Sequence, residues 1–263
     1  MGTSTRWLGP GGRSGTAAEW SALSSRLSRW NSEGPQAERL LDKIFDDYLD
    51  VLHRTMREDQ SAFGLVDAAT EAGYRLADAM SAMAHAGPTA ADDFLARFTD
   101  EVGGSGSTIT DAAIRRAATD TAERLLERQN AEAGGGEAAG GGLTGDLLCQ
   151  LYQWFFADIV TEFLRSVIAE KVKLVVPVLH VLNPGDHVAE WAADKVLSLV
   201  PNPCEEAAEL AEEAESAESV IADPVGSLPD IARSLVPGTV GKVLGLVVKD
   251  VLEHQLGARE ASP

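Results

Sequence analysis

Lysine, cysteine and aromatic residues are all scarce in this chain. Six lysines stand beside sixteen arginines, and the two cysteines, Cys149 and Cys204, lie in separate segments without the local spacing of a zinc site or a redox pair. They read as buried thiols of a reducing compartment, although two cysteines form one disulfide if the fold brings them together. Cationic charge is short as well. Against 41 acidic residues there are 22 basic ones, a formal net charge of -19 that opposes a phosphate backbone and argues against nucleic acid as a general partner. Arg6, Arg13, Arg26 and Arg29 give the first thirty residues a mild positive bias, with Trp7, Trp20 and Trp30 among them, but they are too dispersed for a basic patch. No glycine-rich phosphate loop is followed by a lysine, and no nucleophile elbow surrounds a serine. The segment 1–16 lacks the continuous apolar core of a secretory signal and reads as a flexible leader, and Arg6 stands where myristoylation of Gly2 needs Ser or Thr.

What is present is enough to fold. With 263 residues, of which 44% are hydrophobic, the chain can bury a substantial core without staples or metal. The clearest boundary is Ala133 to Gly145, where GGGEAAGGGLTG holds seven glycines and little to bury, and it predicts a flexible linker. The nets on either side of Gly142 are both acidic, -8 before it and -11 after it.

On both sides the apolar residues recur at helical spacing. The first helix carries Trp20, Leu23, Leu27 and Trp30 and stops at Gly34-Pro35. A second, 35–56, places Ala37, Leu41, Ile44, Tyr48 and Leu52 on one stripe, the strongest periodicity in the chain. A third covers 61–86, with Gly73 on its buried stripe, where a helix loses roughly 1 kcal/mol against alanine but a neighbour can come close. A short fourth opens at Thr89 and Asp92 and carries Phe94, Leu95 and Phe98. A fifth spans 108–131, with Ile114, Ala118, Thr121 and Leu125 inward and Arg124 and Arg128 outward. After the linker, 146–173 is apolar on most sides and should be the central helix of its part. The run 174–182, broken by Pro177, reads as a bent helical extension or a buried strand, the helix being favoured; 187–199 forms another helix, and 204–221 is a helix with seven glutamates and no basic residue. A short segment near 228–235 and a last helix over 239–256 complete the list. The sequence therefore predicts an all-α protein: a leader over 1–16, a helical bundle over 17–132, a Gly-rich linker over 133–145, a second helical unit over 146–257 and a tail over 258–263.

One cluster has the pattern of chemistry. Asp46-Asp47-Tyr48-Leu49-Asp50 resembles the aspartate-rich DDxxD motif of class I isoprenoid synthases, a family of all-helical enzymes. The resemblance implies that Asp46, Asp47 and Asp50 bind magnesium and that the metal holds a substrate diphosphate as it departs. It covers five residues. The second metal motif of the terpene cyclases, an Asn, Ser and Glu at steps of four, is not found, and without it the same aspartates form a solvated acidic helix face. Asp50 and His53, three apart, also match half of a di-iron carboxylate site, but no second carboxylate-to-histidine step accompanies them. Mg2+ enters only with the DDxxD motif, and no other cofactor is implied.

The apolar residues of the second part offer a different surface. Leu151, Phe155, Ile159 and Phe163, with Val243, Val247 and Val251, form a candidate partner or membrane face, and Gly241 and Gly245 have the four-residue spacing that lets helices approach closely in lipid. Asp158, Glu162, Arg165 and Glu170 interrupt the longest apolar stretch and argue against an ordinary membrane span. The expectation is a non-enzymatic interaction or regulatory protein, cytoplasmic and conditionally peripheral to a membrane, that binds another protein or a second copy of itself. A membrane-active effector and a magnesium-dependent diphosphate enzyme are the alternatives.

Overall fold

The computed structural model describes residues 16–30, 36–85, 98–104, 108–133, 145–175, 191, 195–216 and 224–246. Of these, 89% are helical and none lies in a strand, so the fold is all-α. The principal helices are α1 (Ala17–Ser28), α2 (Ala37–Glu58), α3 (Leu65–His85), α4 (Ile109–Ala133), α5 (Gly145–Val175), α6 (Pro203–Ser216) and α7 (Pro224–Val243). Residues 98–103 add a short helical piece whose Phe98 and Val102 are buried. The stretches 174–182 and 187–199 lie largely outside the described residues, as do Thr89, Asp92, Phe94 and Leu95.

The stripe on α2 forms as its spacing dictates: Ala37, Leu41, Ile44, Tyr48 and Leu52 are all buried, joined by Phe45, Val51 and Met56. Asp59 then stops the helix by turning extended, and its Oδ1 accepts hydrogen bonds from the Ser61 backbone N–H at 3.0 Å and the Ser61 hydroxyl at 2.6 Å. The third helix begins later than its periodicity predicts. Ala62–Gly64 is a 3-10 turn in which Phe63 adopts a left-handed φ of 61°, and α3 starts at Leu65. Three contacts hold Phe63 in that costly conformation. Its ring packs 6.1 Å from Trp20 and 5.2 Å from Phe163, and its carbonyl accepts the Thr110 hydroxyl at 2.8 Å. Just ahead of α4, Thr108 and Asp111 satisfy each other reciprocally: the Asp111 N–H donates to Thr108 Oγ1, and Thr108 donates from its backbone and hydroxyl to Asp111 Oδ2.

Helix α5 is the centre. From Leu147 to Ile168 only Gln150, Gln153, Trp154 and Arg165 reach partial exposure, and the helix touches α1, α3, α4, α6 and α7. Its longest contact is with α4. Arg116 meets Ser166, Thr121 meets Asp158 and Arg124 meets Asp158, so the numbering runs in opposite senses and the two helices are antiparallel. The single hydrophobic cluster runs from Trp20 to Leu244 and draws on both sides of the glycine-rich segment, so the two parts pack together. Residues 134–144 of that segment lie outside the described residues.

The C-terminal expectation is corrected. The short segment and the start of the expected last helix are one helix, which runs from Pro224 to Val243 through Pro229 and Pro237; residues 247–256 of that expected helix lie outside the described residues. It closes in a Schellman cap: Leu246 N–H bonds Gly241 C=O at 2.8 Å, Gly245 N–H bonds Lys242 C=O at 3.1 Å, and Gly245 takes the left-handed φ of 67° that favours glycine. Gly241 thus lies in the last turn of α7 and Gly245 in the cap beyond it, so the two do not stand inside one helix as the expected close-packing spacing requires. The cysteines are corrected too. Cys149 and Cys204 form a disulfide, 55 residues apart in sequence with their Cα atoms 5.8 Å apart, and the expectation of a reducing compartment loses the support of free thiols.

Candidate functional site

Asp46 and Asp47, the first two aspartates of the DDxxD-like motif, diverge. Asp46 accepts the indole N–H of Trp191 at 3.1 Å and faces Lys195 Nζ at 3.3 Å, whereas Asp47 pairs with Arg26 on α1. Asp50, one turn on from Asp46, is exposed, and Tyr48 is fully buried against Trp20, its ring centroid 5.7 Å away. Each of the first two carboxylates therefore already faces a cation. Among the described residues no group of three His, Cys, Asp or Glu side chains converges as a metal site.

His53, four turns along the same helix from its start, does structural work with Arg57. Its Nε2 lies 3.1 Å from the Val243 carbonyl, and Arg57 donates to the Gly245 carbonyl at 3.1 Å, so α2 supplies partners for the last carbonyls of α7. Burial pushes the His53 pKa below its ordinary value, opposed by the bond to Val243, while Arg57 lowers it further and Asp50 raises it.

The proposed partner or membrane face is inside. Leu151, Phe155, Ile159, Phe163 and Val243 are buried in the core, packed against this chain's own helices, and Val247 and Val251 lie outside the described residues. An occupant of that face has to displace these helices first. Among the described residues no helix is long and apolar enough to cross a membrane.

Among the described residues, the buried charges Asp158 and Glu162 lie in the seam between α4 and α5. Asp158 is 8% exposed and accepts Thr121 Oγ1 at 3.0 Å and Arg124 at 3.1 Å. Glu162, one turn on, is 2% exposed. Its Oε1 accepts Arg165 at 3.0 Å, and its Oε2 faces Arg116 at 3.7 Å without a hydrogen bond. Arg116 also donates to Ser166 at 3.1 Å. Arg124, expected to point outward, leans instead across the Trp154 ring, 5.6 Å from its centroid, to reach Asp158. Desolvation pushes the Asp158 carboxyl up to about 6, against the pull of Arg124 and Thr121, so at neutral pH an ion is held where a neutral acid would be more comfortable.

No family model, curated protein or solved structure matches the chain. A function therefore has to be argued from its own surfaces.

The seam and the disulfide are the features that the residue pattern alone missed. The charges on α5 were legible as interruptions of an apolar run, but their partners on α4 become visible only once the two helices are known to be antiparallel. For the disulfide there was no local signal, because 55 intervening residues say nothing about proximity.

Proposed function

We propose that the chain is a non-enzymatic helical interaction protein that binds another protein, or a second copy of itself, through an acidic helix. The supporting observation is α6. It presents Glu205, Glu209 and Glu212 to solvent together with Leu210, 41% exposed, and carries no basic residue. Glutamates at three- and four-residue steps repel one another along a helix face, a cost that a cationic partner surface relieves, and Leu210 supplies an apolar anchor among them. Leu40 on α2, 51% exposed, is a second such anchor.

Two experiments test this reading. Sedimentation velocity of the full chain over a wide concentration range decides self-association. Affinity capture with the wild-type chain and with the double variant Glu209→Lys, Glu212→Lys, followed by titration of the purified captured protein at low and high salt, decides a separate partner. The expected partner binds the wild type in a salt-sensitive manner and the variant at least about tenfold more weakly. A monomer whose captured proteins bind the variant equally well sinks the proposal. Leakage of anionic vesicles at pH 5 but not at pH 7 would instead favour a membrane-active protein, one that opens the core around Leu151, Phe155, Ile159 and Phe163.

A further inference from the structure

Helix α6 packs against α5 and α7, but its buried side chains lie at one end. Pro203 is buried, and Cys204 and the side chains described beyond it are partly or fully exposed. The first turn is well built: Asn202 Oδ1 accepts the Cys204 N–H at 3.1 Å and Asn202 Nδ2 donates to Glu205 Oε1 at 3.2 Å. Past that turn there is no buried apolar side chain among the described ones to anchor the helix, and Leu210 is exposed. The covalent bond from Cys204 to Cys149 therefore joins a thinly packed acidic helix to the central helix of the core. The two sulfurs are unequally placed. Cys149 is 2% exposed on α5, whereas Cys204 is partly exposed at the start of α6.

We propose that the Cys149–Cys204 bond is a redox latch: opened by a dithiol reductant, it frees α6 while leaving the rest of the bundle folded. The exchange runs in two steps. A thiolate of the reductant attacks Sγ of the partly exposed Cys204, forming a mixed disulfide, and Cys149 leaves as a thiolate that takes up a proton. The second thiol of the reductant, losing its proton, then attacks its own partner sulfur and expels Cys204, leaving the protein with two thiols and the reductant as an intramolecular disulfide. Two electrons and two protons pass to the protein. A Cys204 thiolate released at a helix N-terminus is stabilised by the N–H groups and dipole there, which favours the open state and leaves Cys204 the more reactive thiol.

The test uses the full chain, oxidised or reduced with dithiothreitol under native conditions, with hydrogen exchange followed segment by segment. Reduction is expected to speed exchange across 203–216 by at least about tenfold while α3, α4 and α5 keep their protection. Brief alkylation of the reduced native chain should label Cys204 well ahead of Cys149. The double variant Cys149→Ser, Cys204→Ser should exchange like the reduced chain with or without reductant. Unchanged protection of α6 on reduction, or a disulfide that resists the reductant until the protein unfolds, overturns the latch. Loss of protection throughout, with equal labelling of both cysteines, shows a staple of the whole fold and overturns it too.

Discussion

Gly73 on α3 and Phe156 on α5 approach so closely that a Cβ built on the glycine would stand 2.6 Å from the phenyl Cζ. Val236 of α7 crowds the same point, its Cγ1 2.8 Å from that position. Three helices, one before the glycine-rich segment and two after it, thus meet over a position with no room for a methyl group. Replacing Gly73 with Ala gains roughly 1 kcal/mol of helix propensity and loses about 1–3 kcal/mol to overpacking. The expected result is a net loss of up to about 2 kcal/mol in urea unfolding. A more stable variant would show that α3 and α7 can separate freely.

Asp158 governs a second outcome, because its carboxyl titrates near 6 in the folded chain against an ordinary value of 3.8. The folded state binds the proton more tightly than the unfolded one. This contribution to stability is complete below pH 3.8 and is lost as pH rises through about 6. Asp158→Asn, which imitates the neutral acid, is expected to stabilise the protein at pH 7 by something on the order of 2–3 kcal/mol. The difference between variant and parent should shrink between pH 6 and pH 4, in thermal melts recorded across that range. Equal stability at pH 7 would mean that the Arg124 pair fully compensates the burial.

His53 acts in the opposite sense. Its folded-state pKa lies below the ordinary 6.5, so the unfolded chain takes up a proton first and stability falls as pH drops below about 6.5. His53→Gln, which keeps a side-chain donor near the Val243 carbonyl, should remove that loss. The comparison is best made in the Asp158→Asn background, where the opposing titration is absent.

At the end of α7, Gly245→Ala should cost about 2 kcal/mol or more, because the left-handed φ of 67° disfavours a side chain and a Cβ there would sit 2.4 Å from His53 Cγ. The double variant with His53→Ala relieves the collision but not the backbone strain, and should recover part of the loss. Additive losses in a double-mutant cycle would show that the imidazole moves aside.

The acidic trio on α2 is expected to leave thermal stability unchanged when magnesium and pyrophosphate are added together, since Asp46 and Asp47 already face Lys195 and Arg26 on diverging sides. A rise in melting temperature that disappears in Asp46→Asn or Asp50→Asn would revive the diphosphate-enzyme reading. Asp50→Asn is the cleaner control, because Asp46→Asn and Asp47→Asn also remove the Lys195 and Arg26 pairs.

Much of this architecture lay in the residue pattern because burial of a stripe depends on local spacing. Ala37 to Leu52 on α2, Ile114 to Leu125 on α4 and the apolar girth of α5 become buried faces wherever the neighbouring helices sit, and Gly73 marked a close approach before its partners were known. The break expected between 228–235 and the helix from 239 is absent. A proline usually ends a helix by removing a donor, yet α7 continues through both, with Pro237 exposed at the surface and Pro229 buried. Tertiary structure decided whatever depends on two distant segments meeting: the antiparallel pairing that gives Asp158 and Glu162 their arginines, the use of His53 and Arg57 to close α7, the separation of Asp46 from Asp47, and the bond between Cys149 and Cys204. Periodicity determines which face of a helix is apolar, but it carries no information about which other helix covers that face, and the polar partnerships between helices depend on that choice.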